Sequence, residues 1–164
     1  MTTMEELERR IQVLEDMRAI ERVQAMYWDT LDAKDWDGLE VLLVEDFVFI
    51  NNTTGGRYEG RDGMLATMKG KFTDNVTSSH QGHHHWIDIA EDGNSATSHW
   101  SLEDDLYDAA NGGEFFGRAH YDNKYVKVDG RWYFTEMSLT YLRGEAEIKK
   151  RYEDTANAYK VFMM

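Results

Sequence analysis

From residue 83 to residue 143 the chain alternates long runs rich in β-branched and aromatic residues with compact turn signals. Four segments, about 83–90, 95–107, 114–128 and 131–143, are separated by Glu91-Asp92-Gly93-Asn94, Ala109-Ala110-Asn111-Gly112-Gly113 and Asp129-Gly130. The Asp-Gly pair is the strongest hairpin signal, because the tight turn that joins twisted strands needs positive φ at its centre. Runs of this length joined by such short turns dictate an antiparallel meander. Helical sequence precedes it, so the expected class is α+β, with helices laid on one face of a curled sheet.

Helical spacing is clear in the first 34 residues. Leu7, Ile11, Leu14, Ile20, Val23, Tyr27 and Leu31 recur three and four apart, with Arg18 breaking the stripe. Thr3 and Glu6 form a capping-box start, and Asp16 can open a second segment, so two helices or one kinked helix are both readable. A second amphipathic stretch, Trp36 to Leu43, is capped by Asp35 or Asp37. Phe47 to Asn51 reads as a strand, followed by a turn over Asn52 to Gly56. A third helix follows Gly60-Arg61-Asp62-Gly63 and ends near Phe72. Helical periodicity returns after Glu145 and closes on the apolar Val161-Phe162-Met163-Met164.

At 164 residues, this is one domain spanning 1–164, with a core over about 5–145 and a helical tail over 146–164. An aromatic share of 13%, with five Trp and nine Tyr, supplies that core. Against 18 basic residues stand 31 acidic ones, a net charge of −13 that opposes nucleic acid and anionic membrane surfaces as partners. The absence of Cys excludes disulfides and thiolate chemistry and fits a reducing compartment. No apolar run reaches the length of a membrane span, and Met1 to Glu6 has neither a basic nor an apolar leader region. The expected location is cytoplasmic.

Chemistry concentrates in Ser78-Ser79-His80-Gln81-Gly82-His83-His84-His85. Imidazole is the natural base at neutral pH, although ordinary, partly exposed strand histidines would read the same. Strand alternation puts His80, Gly82 and His84 on one face and His83 and His85 on the other. No ligand spacing of the kind structural metal sites use accompanies them, so no metal is expected. A carboxylate at Asp32 would sit at the negative end of a helix dipole, which calls for a compensating partner. Solvent would serve; so would an imidazole N–H, whose ring would then be fixed as a base. Asp104 interrupts an apolar row, Trp100, Leu102 and Leu106, and is buried in one strand register and solvated in the other. Arg143 is either a cationic anchor for an anionic substrate or a surface charge.

Tyr27 and Asp32, the string His80-Gln81-Gly82-His83, Trp100 to Asp104, and Asp129-Gly130-Arg131-Trp132-Tyr133 together resemble the SnoaL-like, ketosteroid-isomerase-like superfamily over about residues 5–145. The pattern is most similar to the bile acid 7α-dehydratases and more distantly to scytalone dehydratases and hexachlorocyclohexane dehydrochlorinases. The resemblance implies a cone-shaped curved antiparallel sheet carrying three N-terminal helices around an apolar pocket. It also implies cofactor-independent proton abstraction: His80 as base, Asp32 orienting it, Tyr27 donating to a developing oxyanion and Asp104 adding a polar contact. Arg143 matches by strand face only. On an ideal helix Tyr27 and Asp32 are about 140° apart, so both can border one pocket only if the helix loosens near Leu31.

The leading expectation is thus a lyase or dehydratase acting on a hydrophobic polycyclic or aromatic-like molecule. An isomerase or polyketide cyclase would use the same dyad. A non-catalytic binding module would have the dyad apart or the cone plugged, and a small oxygenase subunit would need a large partner chain. Self-association is expected through the open sheet face, as a trimer first and a dimer second.

Overall fold

In a computed structural model, residues 2–144 and residue 147 are described. The tail expected over 146–164 lies, Glu147 apart, outside the described residues. Element order is α1 (Met4–Ala33), α2 (Trp36–Glu40), β1 (Leu43–Asn51), β2 (Gly56–Glu59), α3 (Arg61–Lys71), β3 (Val76–Ile89), β4 (Ser95–Asp108), β5 (Gly113–Val128) and β6 (Arg131–Tyr141). No helix among the described residues is long and apolar enough to cross a membrane.

The meander expected from the turn signals is present as β3 to β6 in one curved sheet of order β2-β1-β6-β5-β4-β3. One pairing departs from the antiparallel expectation: β1 runs parallel to β6. The β1–β2 hairpin and α3 carry the chain to the far edge, and an even number of reversals then returns β6 alongside β1 in the same sense. β2 itself falls just beyond the Asn52-to-Gly56 turn, where no strand was expected. α2 is also shorter than its apolar pattern, because Leu42 and Leu43 are drawn into the sheet core.

α1 is a single helix. Asp16 does not open a second segment; it is buried and accepts hydrogen bonds from Trp132 Nε1 at 3.0 Å and Lys127 Nζ at 2.6 Å. Thr3 caps the start through the Glu6 N–H, and Asp35 caps α2 through the Gly38 N–H. Lys34 ends α1 in the left-handed region at φ 58°.

Facing the sheet, α1 buries Ile20, Gln24, Tyr27, Trp28 and Leu31. Near its middle the interior is filled by a polar network: Gln24 Oε1 accepts from Asn123 Nδ2 at 2.7 Å and from the Tyr125 hydroxyl at 3.1 Å. Ser98 Oγ joins Tyr125 to Trp100 Nε1 at 2.9 Å each. Toward the C-terminal end of α1 no such filling occurs, and a cavity remains.

β3 carries a bulge. His83 pairs with Ser101 and Trp86 with His99, so three steps on β3 match two on β4, and His84 sits at φ 50°. The extra residue reverses the alternation expected for the histidines. His85, not His84, turns inward, where it stacks on Trp100 at 4.0 Å and meets Glu21 at 3.0 Å. Trp86 turns outward and stacks on His99.

Before the bulge, Gly82 lies directly beneath Trp28, and a Cβ there would come within 1.7 Å of the indole. Gly82→Ala therefore forces Trp28 off Trp100, which it meets edge-on at 5.4 Å. The expected cost is about 1–3 kcal/mol, read as a lowered urea midpoint; an unchanged midpoint would refute this packing.

Candidate active site

The site follows from strand register. His80 on β3 pairs with Asp104 on β4, and Asp104 pairs with Gly117 on β5. Because Gly117 has no side chain, Tyr141 on β6 reaches across it, placing its hydroxyl 2.5 Å from Asp104 Oδ2. The alternation that buries Trp100, Leu102 and Leu106 buries Asp104 too, settling its register in favour of the inward reading.

α1 supplies the remaining partner. Asp32 in its last turn receives three donors from β3: Ser78 Oγ at 2.6 Å, the His80 backbone N–H at 2.8 Å and His80 Nδ1 at 2.6 Å. The compensating partner demanded by the helix dipole is thus an imidazole, a hydroxyl and an amide together. Burial raises the Asp32 pKa, but the hydrogen bonds and charge of His80, with Ser78 and the His80 amide, outweigh it and leave the carboxyl below its ordinary range. An ionised Asp32 only accepts, so Nδ1 carries the proton and Nε2 presents its lone pair. Among the described residues Nε2 has no hydrogen-bond partner.

Asp104 is shifted the other way. Burial dominates and raises its pKa, with the Tyr141 hydrogen bond opposing, and Oδ1 has no hydrogen-bond partner. Burial likewise raises the phenols of Tyr27, Tyr121 and Tyr141, keeping them protonated. Tyr27 meets Tyr121 edge-on, with ring centroids 6.4 Å apart.

These groups line one open cavity. Leu31, Phe49, Met68, Phe72, Leu106 and Leu139 form its apolar walls, and Phe72 lies 6.0 Å from the His80 ring. Such a lining, with a few convergent polar groups, is the usual make-up of a small-molecule site.

Four of the five expected residues, Tyr27, Asp32, His80 and Asp104, come together. The helix does not loosen near Leu31 to achieve this: Tyr27 faces the cavity while Asp32 sits behind His80, so the two need not share a face. Arg143 is the correction. It lies two residues beyond β6, is exposed, and does not line the cavity. Arg118 and Lys124 pair with Glu103 and Glu136 and do not line it either. The cation that does is Lys71, at the end of α3, whose ammonium lies 5.7 Å from the Tyr58 ring and whose pKa is lowered by burial. Ser78, Tyr121 and Tyr141 were missed as well. Ser78 shares parity with His80, but that signal appears only once β3 is extended back to Val76.

A curved sheet with helices packed on it encloses an open cavity, with an imidazole–carboxylate pair at its wall, and defines an α+β pocket fold. Residues 12–138 match the SnoaL-like domain, and the chain belongs to that family. Its fold is shared with a scytalone-dehydratase-like protein from Novosphingobium aromaticivorans: TM-score 0.75, 26% identity, covering 82% of this chain and 89% of that one. A hexachlorocyclohexane dehydrochlorinase from Novosphingobium barchaimii superposes at TM-score 0.71 with 15% identity, covering 82% and 91%. An NTF2-like protein with a cystatin-like fold from Novosphingobium aromaticivorans gives 0.70 with 19% identity over 92% and 97%.

The lowered Asp32 pKa has a definite sign in stability. Its contribution is present above the ordinary carboxylate pKa of 3.8 and is lost as pH falls through the still lower folded value. Asp32→Asn, which turns one acceptor into a donor facing Nδ1–H, is expected to melt lower than wild type at pH 7. The gap should close on acidification below about pH 4, as calorimetry across that range would record; a gap independent of pH would contradict the assignment.

Proposed function

We propose that the protein is a cofactor-independent lyase that eliminates water, or another leaving group, from a hydrophobic polycyclic or aromatic-like molecule. The observation that carries this reading is the 2.6 Å contact between Asp32 and His80 Nδ1 beside an open apolar cavity. A binding module would need neither the contact nor the orientation it imposes.

His80 Nε2 takes a proton from the carbon adjacent to the leaving group. The C–H electrons form the new double bond as the C–O bond breaks, and Asp32 stabilises the imidazolium. Tyr27, held neutral by burial, donates a hydrogen bond to the departing oxygen. Return of the proton from His80 to that oxygen releases water and restores the neutral ring. Aromatic and aliphatic walls favour a flat apolar substrate, and the similarity in fold to dehydratase-like and dehydrochlorinase proteins supports elimination as the reaction type.

Self-association, as a trimer ahead of a dimer, and residence in the cytoplasm complete the proposal. Trp86 and Phe116, 57% and 40% exposed, support the first, and a sequence without Cys supports the second.

The test is a screen of hydroxylated polycyclic substrates for loss of water by mass spectrometry, with His80→Ala as control. The variant, shown by its melting curve to remain folded at the assay temperature, should lose about 10²–10⁴ in kcat/KM. Turnover undiminished in His80→Ala would eliminate the imidazole as the base.

A further inference from the structure

We propose that Tyr141 is a further substrate-contacting residue: its hydroxyl, held by Asp104 across the Gly117 gap, donates a hydrogen bond to an uncharged carbonyl or hydroxyl oxygen in the cavity. The inference rests on that cavity being the substrate site, and it assigns a role to a side chain that the proton-transfer dyad leaves unused.

The argument starts from the accounting of hydrogens between two oxygens 2.5 Å apart. An ionised Asp104 can only accept, so it would consume the Tyr141 hydrogen and leave Oδ1 charged and buried, with only the poorly aligned backbone N–H groups of Asp104 and Gly117 nearby. That is a costly arrangement for a side chain only 2% exposed. A protonated Asp104 instead donates from Oδ2 to the phenol oxygen. The orphaned Oδ1 is then a neutral carbonyl, whose desolvation costs less, and the Tyr141 hydrogen is free to point into the cavity. Burial pushes the carboxyl in the same direction.

Position supports the same assignment. Both residues line the cavity, but Asp104 is buried whereas Tyr141 is half-buried and the more accessible of the two. Phe115 meets the Tyr141 ring edge-on at 5.6 Å and fixes its plane. A Cβ at residue 117 would fall 1.9 Å from Asp104 Oδ1 and 2.5 Å from Tyr141 Cε1, so only glycine lets the two side chains meet. Among the described residues, the titratable side chains that share the cavity with Asp104 are His80 from β3, Tyr121 from β5, Tyr141 from β6, Tyr27 from α1 and Lys71 from α3. None of them is a second carboxylate that could share the proton.

The experiment uses prodan, an uncharged naphthyl ketone whose emission shifts with hydrogen bonding at its carbonyl, titrated into the full chain. Tyr141→Phe should bind about fivefold to tenfold more weakly than wild type, with bluer bound emission. Asp104→Asn, which keeps a neutral donor facing the phenol oxygen, should bind within about threefold of wild type. Wild-type binding should weaken as rising pH ionises Asp104, and Asp104→Asn should lack that component. Because the pH series needs only the wild-type chain and a variant checked by its melting curve, it stands even if Tyr141→Phe folds poorly. Equal binding and emission in wild type and Tyr141→Phe, or an Asp104→Asn loss as large as that of Tyr141→Phe, overturns the inference and leaves the dyad reading standing. Failure of the wild-type cavity to bind the ketone overturns both.

Discussion

The arrangement on which the rest of this site depends is the seating of one carboxylate, Asp32, on three donors from a single strand. A charge in the last turn of α1 opposes the helix dipole and is partly desolvated, so alone it would destabilise the helix end. Ser78 Oγ, the His80 amide and His80 Nδ1 reverse that balance. The same contacts tie α1 to β3, select the imidazole tautomer and hold the ring toward the cavity. Tertiary anchoring and orientation of the imidazole are one interaction, so the helix cannot drift from the strand without also releasing the ring.

Around that anchor, two glycines set distances that no other residue permits. Gly82 lets Trp28 settle on β3, which brings the end of α1 close enough for Asp32 to reach Ser78 and His80. Gly117 opens the gap that Tyr141 crosses to reach Asp104. Both lie on the inner face of long strands, where glycine ordinarily weakens the element for want of a side chain to pack. Here a ring or a carboxyl from a neighbouring element occupies the vacated space. Close approach, rather than φ, explains these two positions; neither adopts the left-handed backbone.

Much of this was legible in the sequence because it rests on periodicity and turn chemistry. The hairpins at Asp129-Gly130 and Gly112-Gly113 and the capping by Thr3 follow from local rules, whereas those rules left the α2 cap open between Asp35 and Asp37 and Asp104 open between an inward and a solvated register. What was not legible depends on contacts between distant segments. Asp16 resembles a helix start but is a tertiary anchor for Lys127 and Trp132. One extra residue at His84 reverses which histidines face inward, and nothing in a string of three histidines marks where the bulge falls. Arg143 was matched by strand face in a segment read to residue 143, yet β6 ends at Tyr141, and the cation that lines the cavity among the described residues is Lys71, from α3.

That exchange of cations bears on what the pocket can select. Asp32 is ionised and is balanced by the groups it holds, while burial favours the neutral form of Asp104 and of the three phenols around it. Among the described residues that line the cavity, Lys71 is the single Lys or Arg, and burial weakens its hold on a proton. An interior of this kind has hydrogen-bond donors in excess over fixed charge. It stabilises an oxygen on which negative charge is developing better than a full anion already carried into the site, because neutral donors gain most where charge appears in a water-poor space. A chain of net charge −13 adds a repulsive outer field to that preference. Site and surface therefore favour an uncharged occupant, which accords with the proposed elimination, in which charge appears only after binding.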